Sequence, residues 1–371
     1  MNLFYQVVAV ALLLPCVALA SEESTNWGVI QEDTDSYRLG RERLERFREI
    51  NPFLHEEVGP TLSFKRACVP LNRNCIRFLR DEKADARQAV PDNPEYWQSY
   101  HDLLEVTPLA RLASEANEIT DTQKIISATR YWPMHQLLVG EVLDAKDVHF
   151  VVSAHRRLLA ESNFMIDKMI QIATAGISLQ AINILMAQHA HSLQPLAPAE
   201  AKMLDEALQP MTIAEYSMRR VLHGESLYVA YLIKDGANIT ESQVEDYHQI
   251  YSYVANRSEA SWADLWSRGL DLRADVPVSS LDIEFMAPGY SSYVSYIRHL
   301  DASLYVLRAL REIYEGRISP GIPAQPSPPR WYWEWQVANQ ALCLAPGDIH
   351  FSFGNAPTIC VDYLEEPDVA M

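Results

Sequence analysis

The stretch that decides the fold is Asp147–Ala190, DVHFVVSAHRRLLAESNFMIDKMIQIATAGISLQAINILMAQHA. It holds no proline and one glycine, Gly176, so no residue in it is a strong helix breaker. Val148, Val151, Val152, Leu158, Leu159, Met165, Ile166, Met169, Ile170, Ala173 and Ile177 recur at steps of three and four, which places them on one helical face. From Leu179 to Ala187 the chain is apolar nearly all round, the pattern of a helix enclosed by other helices. The spacing predicts one long central helix over the whole stretch, with Ile170 and Ile177 in the core. The expected fold class is all-α: a multi-helix array around a long central helix, with a small C-terminal β-hairpin.

Met169–Ala190 is also long enough to cross a bilayer. It carries Gln171, Gln180, Asn183, Gln188 and His189, with Asp167 and Lys168 at its edge, and a hydrocarbon core penalises each of them. The reading is a buried helix of a soluble domain, with no membrane span once the leader is removed.

The leader is Met1–Ala20: an apolar region from Leu3 to Leu14, Pro15, then Ala18-Leu19-Ala20 before Ser21, which predicts export and cleavage after Ala20. An uncut leader would serve as a short N-terminal anchor. The location expected is extracytoplasmic, periplasmic or secreted. The chain sets 31 basic against 49 acidic side chains, a net charge of −18, which argues against nucleic acid and against anionic lipid surfaces.

Organisation follows from composition. Residues 21–317 read as a helical domain, residues 318–330 as a proline-rich strap, and residues 331–371 as an aromatic, cysteine-bearing segment packed on the helices. Asp33–Ile50 reads as a charged helix whose Arg and Glu residues alternate at spacings of four, a solvated face with a narrow seam of Leu44, Phe47 and Ile50. Further helices are predicted over Pro94–Leu104, Leu109–Ile119, Thr122–Ala128, His135–Leu143 after a kink at Pro133, Ala199–Leu208, Thr212–Ile233, a segment capped by Thr240 and Gln243, and Tyr290–Tyr314. Trp331–Trp335 is followed by an expected helical turn through Leu342, and a hairpin is expected to turn at Gly354–Pro357.

Four cysteines remain beyond the leader: Cys68, Cys75, Cys343 and Cys360. They permit three connectivities in an oxidising compartment. Their spacings do not match C-x-x-C zinc ligation, and no histidine pair accompanies them. Local pairing, Cys68 with Cys75 and Cys343 with Cys360, is expected to contribute about 2.5 and about 3 kcal/mol in the chain-entropy picture.

No local catalytic signature is present: no H-E-x-x-H, no Walker loop, no G-x-G-x-x-G. Gly224-Glu225-Ser226-Leu227-Tyr228 has tyrosine where a nucleophile elbow requires glycine, so Ser226 reads as a helical surface serine. Glu245 and His248 have the spacing of a carboxylate-bridged metal bundle, but in a single copy. His189 and His191 point apart on a helix. No metal and no cofactor are expected.

Two constellations stand out. His149, Ser153, Arg156, Asn163, Asp167, Gln171, Thr174 and Ser178 form a polar stripe along the central helix. His149, Arg156, Asp167 and Gln171 are the candidates for lining a cleft, against the plainer reading of a solvated helix face. His155 reads as a satisfied core histidine, and a cleft joining Asp167 to His155 or His223 is the first place to test. Trp331, Trp333 and Trp335 are candidates for stacking on a ligand or partner, against the plainer reading of an anchor for the C-terminus.

The leader, the C-x(6)-C pair followed by Ile76 and Leu79, the run Met165-Ile166-Asp167-Lys168-Met169-Ile170 and the helical body resemble exported α-helical proteins of proteobacteria. The resemblance implies no activity, cofactor or catalytic residue, and disfavours glycosylation at Asn238 or Asn256. The function expected is an exported scaffold or binding module with a protein or small-molecule partner. The alternative is an extracytoplasmic, hydrolase-like enzyme whose site is assembled from distant residues.

Overall fold

The computed structural model describes residues 35–50, 68, 71–90, 92–106, 119–163, 165–192, 196–224, 241–261, 264, 283–319, 323, 327, 331–346, 350–351, 354–355, 358–365 and 368. Its helices are α1 (Asp35–Ile50), α2 (Arg73–Asp81), α3 (Lys83–Ala89), α4 (Pro94–Leu104), α5 (Ile119–Gly140), α6 (Ala145–Glu161), α7 (Met165–His191), α8 (Pro198–Ala207), α9 (Ile213–Tyr216), α10 (Glu241–Ser258) and α11 (Ile283–Tyr314). The strands are β1 (Trp331–Gln336), β2 (Ala341–Pro346), β3 (His350–Phe351), β4 (Gly354–Asn355) and β5 (Ile359–Asp362). The architecture is a helical array with a small antiparallel sheet at the C-terminus, the class expected.

The predicted single helix over Asp147–Ala190 is two helices. Ser162 leaves α6 with φ −58° and ψ 132°, and its hydroxyl donates to the carbonyl of Leu158 at 2.8 Å. Serine and asparagine leave helices by this local competition for backbone groups. The chain then reverses, so that Leu159 meets Lys168 and His155 meets Gln171 across the hairpin. Folding back buries the apolar faces of α6 and α7 against each other, which outweighs the modest propensity to continue one helix.

Helix α7 is the central element, packed against α5, α6 and α11. Ala181, Ile182, Ile184, Leu185, Met186 and Ala187 are buried on every side of it, and 83% of its most apolar window is enclosed by protein. Ile170 is in the core, while Ile177 is half-buried against it. Around this axis α1 packs on α4, α3 on α5, and α8 on α6.

Three other boundaries differ from expectation. Helix α5 continues through Pro133 instead of restarting at His135, because the buried Trp132, Met134 and Leu137 hold the residues on both sides of the proline. The helix expected over Thr212–Ile233 is broken: α9 lasts four residues, Ser217 turns extended at φ −66° and ψ 135°, and helix resumes at residues 219–224. Helix α11 begins at Ile283, ahead of the expected Tyr290.

At the C-terminus, Trp331–Gln336 and Ala341–Pro346 are strands, and the helical turn expected through Leu342 is not formed. They pair as a hairpin, and β5 joins β2 to give the order β1-β2-β5. The short β3–β4 hairpin turns ahead of the expected Gly354–Pro357. Odd-numbered Trp331 and Trp333 face the helices together with even-numbered Leu342 and Leu344, as the period of two requires.

Side-chain bonds fasten this sheet to the helices. Asn183 on α7 donates to the carbonyl of Asp362 at 2.8 Å and accepts from Tyr314 on α11 at 3.1 Å; Tyr314 in turn accepts from the amide of Leu364 at 2.9 Å. Asp368 is buried between Arg77 at 2.6 Å and Arg73 at 3.0 Å, both on α2. Both local disulfides form, Cys68–Cys75 and Cys343–Cys360. The leader, the helix expected over Leu109–Ile119 apart from Ile119 itself, Thr240, Ser226, Trp262, Leu265, Trp266 and most of the proline-rich strap lie outside the described residues.

Candidate functional site

The break at Ser162 divides the polar stripe between two helices and gives its halves different surroundings. On the inner side of the α6–α7 hairpin, Tyr100 of α4 lies 3.2 Å from Nε2 of His155, Nδ1 of His155 lies 3.3 Å from Oε1 of Gln171, and Gln171 donates to Asp167 at 3.2 Å. Thr129 of α5 accepts from Tyr100 at 2.9 Å and donates to the carbonyl of Ile125 at 2.9 Å. With the imidazole proton on Nδ1, one direction of donation runs from His155 through Gln171 to the Asp167 carboxylate. His155, Asp167 and Gln171 are each no more than 1% exposed. Asp167 and His155, set together as one place to test from the sequence, are joined through Gln171, and all three side chains are buried.

Beside this chain stands Lys168, also buried, whose Nζ donates to the carbonyl of Leu159 at 2.6 Å. That carbonyl lies in the last turn of α6 and has no partner within its own helix. Burial lowers the lysine amine to about 7; Asp167 and Glu215 oppose this and Arg220 adds to it. Sequence reasoning singled out Asp167 and passed over Lys168, although an adjacent acid and base inside the apolar run MIDKMI was visible.

Arg156 belongs to a second cluster on the outer side of α6. Its guanidinium pairs with both carboxylate oxygens of Glu215 at 2.5 and 3.0 Å, and also donates to the carbonyls of Ala207, Gln209 and Pro210. Glu215 accepts from the amide and hydroxyl of Thr212, at 2.5 and 2.8 Å. Burial raises the Glu215 carboxyl, and the bonds from Arg156 and Thr212 outweigh this, leaving it below the ordinary range. The arrangement is a five-donor guanidinium used as a staple between α6, the end of α8 and the start of α9. Next to it is a void of about 10 Å³ lined by Arg156, Ser178, Met211 and Glu215 among apolar neighbours, no more than one water needs.

His149 stands apart from both clusters, half-buried, 3.2 Å from Glu206 of α8. The four cleft candidates therefore reach three separate environments. Of the aromatic candidates, Trp331 and Trp333 are buried in the core and Trp335 packs edge-on against Tyr363. Trp331 and Trp333 are thus enclosed by the protein itself, Trp335 is half-buried, and the exposed large apolar residues of that hairpin are Tyr332 and Val337. Glu245 and His248 are exposed on α10, His223 is exposed, and His191 contacts the carbonyl of Leu364 at 2.9 Å. Among the described residues, no group of three or more His, Cys, Asp or Glu side chains is placed to hold a metal ion.

Gly224 explains one constraint on the hairpin turn. A Cβ there would run into the backbone carbonyl of Asn163, so only glycine lets residues 219–224 pass this close to the α6–α7 connection. Arg220 secures the same contact by donating to Oδ1 of Asn163 at 2.6 Å. In comparisons with known proteins, no family model, no curated protein and no solved structure matches the chain.

Proposed function

We propose that the chain is an exported helical protein that works as a scaffold or binding module, engaging its protein or small-molecule partner through its surface. The observation that carries this reading is how the polar residues of the α6–α7 hairpin are used. Arg156 is bonded to Glu215 and three carbonyls, and His155, Gln171 and Asp167 bond to one another and to Tyr100. Side chains so occupied hold helices in register. The leader and the two disulfides support an extracytoplasmic location, where thiols oxidise.

One observation favours an enzyme as the second reading: the buried amine of Lys168, held at about 7 beside Asp167, has the perturbed basicity found in catalytic lysines. A single pair of measurements separates the two. The native protein from an extracytoplasmic extract is sized by chromatography, and the purified wild type is assayed on chromogenic esters, glycosides and peptides alongside Asp167→Asn and Lys168→Met. A module is expected to run in a stable complex above its own mass and to turn over none of the substrates. Turnover by the wild type that is lost in a variant still folded by circular dichroism overturns the module in favour of the enzyme.

A further inference from the structure

The two disulfides differ in where they sit. Cys68 and Cys75 are both buried, and Cys75 belongs to α2, the helix that clamps Asp368. Cys343 and Cys360 are register partners across β2 and β5, with Glu334 of β1 next in the same row. Alternation along the strands puts Trp333, Leu342 and Leu344 toward the helices and Glu334, Cys343 and Cys360 on the opposite face. This bond is therefore outside the hydrophobic core. Cys343, on the central strand, is fully buried, whereas Cys360, on the edge strand, is exposed.

We propose that Cys343–Cys360 is a thiol-exchange site, open to a dithiol reductant through Cys360, whose opening leaves the fold standing while Cys68–Cys75 stays closed. Exchange requires a thiolate to approach a sulfur in line with the bond it breaks, so access decides which disulfide reacts. A thiolate of the dithiol attacks Sγ of Cys360; the bond between the two cysteines breaks, and Cys343 leaves as a thiolate that takes a proton from solvent. The second thiolate of the reductant then attacks its own partner in the mixed disulfide and releases Cys360. Two electrons pass from the dithiol to the protein: the reductant ends as a cyclic disulfide and the protein gains two thiols. The outer face carries Glu334 on a chain of net charge −18, which selects an uncharged dithiol over an anionic monothiol.

The segment stays docked after opening because its other holdfasts do not involve sulfur. The ladder between β2 and β5, the bond from Asn183 to Asp362, the bond from Leu364 to Tyr314 and the pairing of Asp368 with Arg77 all remain. What changes is the covalent lock on the edge strand.

The test uses the oxidised full chain in native buffer with graded dithiothreitol. Samples are acid-quenched, alkylated in denaturant and peptide-mapped, with far-UV circular dichroism recorded in parallel. Cys343 and Cys360 are expected to be labelled together, about tenfold faster than Cys68 and Cys75, with the helical signal unchanged. Equal or faster labelling of Cys68 and Cys75, or labelling of Cys343 and Cys360 only as the helical signal falls, overturns the proposal.

Discussion

Nζ of Lys168 donates to the carbonyl oxygen of Leu159 at 2.6 Å, so the first turn of α7 closes the last turn of α6. A charged group at this position would sit in apolar surroundings, which is why its amine falls from 10.5 to about 7. The consequence for stability has a definite sign. Between pH 7 and 10 the unfolded chain holds the lysine proton and the folded chain has released it, so stability rises with pH across that window. The rise is on the order of 3 kcal/mol. Above pH 10 it reverses, because burial raises the phenols of Tyr96, Tyr131 and Tyr314 and unfolding lets them ionise. Urea unfolding from pH 6 to 10 should show the slope in the wild type and a nearly flat profile in Lys168→Met.

In acid, His299 acts in the same sense. Burial lowers its imidazole from 6.5 to about 4. Between those values the unfolded chain binds the additional proton, so stability is lost as pH falls through this range. His299→Gln is expected to reduce that loss by about 1 kcal/mol or more, read from melting temperatures at pH 4.5 and 7.

Glu215→Gln should remove the charge that Arg156 is paired with while keeping its shape. The guanidinium keeps its three carbonyl acceptors but loses its counter-charge in a partly enclosed site, an effect of roughly 2–3 kcal/mol. Lys202→Gln is the control, since Lys202 pairs with Glu206 on the surface at 3.6 Å, and such pairs contribute about 0–1 kcal/mol. Equal melting temperatures for the two variants would mean that the Arg156 staple holds nothing.

Gly224→Ala is expected to destabilise by about 1–3 kcal/mol, because the new methyl group meets the backbone at Asn163 and a backbone cannot swing aside as a side chain does. Gly140→Ala meets nothing within 4 Å and should be neutral or slightly stabilising. Thermal melts of the pair isolate the close approach from the general effect of removing glycine.

Ile170→Asp places a carboxylate at a position 3% exposed, a cost of several kcal/mol that a marginally stable domain does not absorb. Loss of the cooperative melt is expected. Ile177→Asp, at the half-buried position, should be milder; an unchanged melt for Ile170→Asp would place α7 at the surface.

The helical class, the apolar axis from Leu179 to Ala187, the alternation that turns Ile359 and Val361 inward and the expectation of local cysteine pairing were all legible in the residues alone. Each depends on near neighbours: a period of 3.6 or 2, or a loop short enough to close cheaply. The helix break at Ser162 depended on something else. With neither proline nor glycine present, propensity alone left the helix free to continue, and only burial of α6 against α7 favoured the reversal. The same reversal separated Arg156 from Asp167, which one helix would have aligned, and brought Asp167 to His155 by way of Gln171. Tertiary packing also decided that Trp331 and Trp333 serve as core and that Lys168, a side chain ordinarily found in water, is a buried cap. These outcomes require residues far apart in the chain, Tyr100 with His155 and Arg156 with Glu215, whose contacts leave no spacing in the sequence from which to read them.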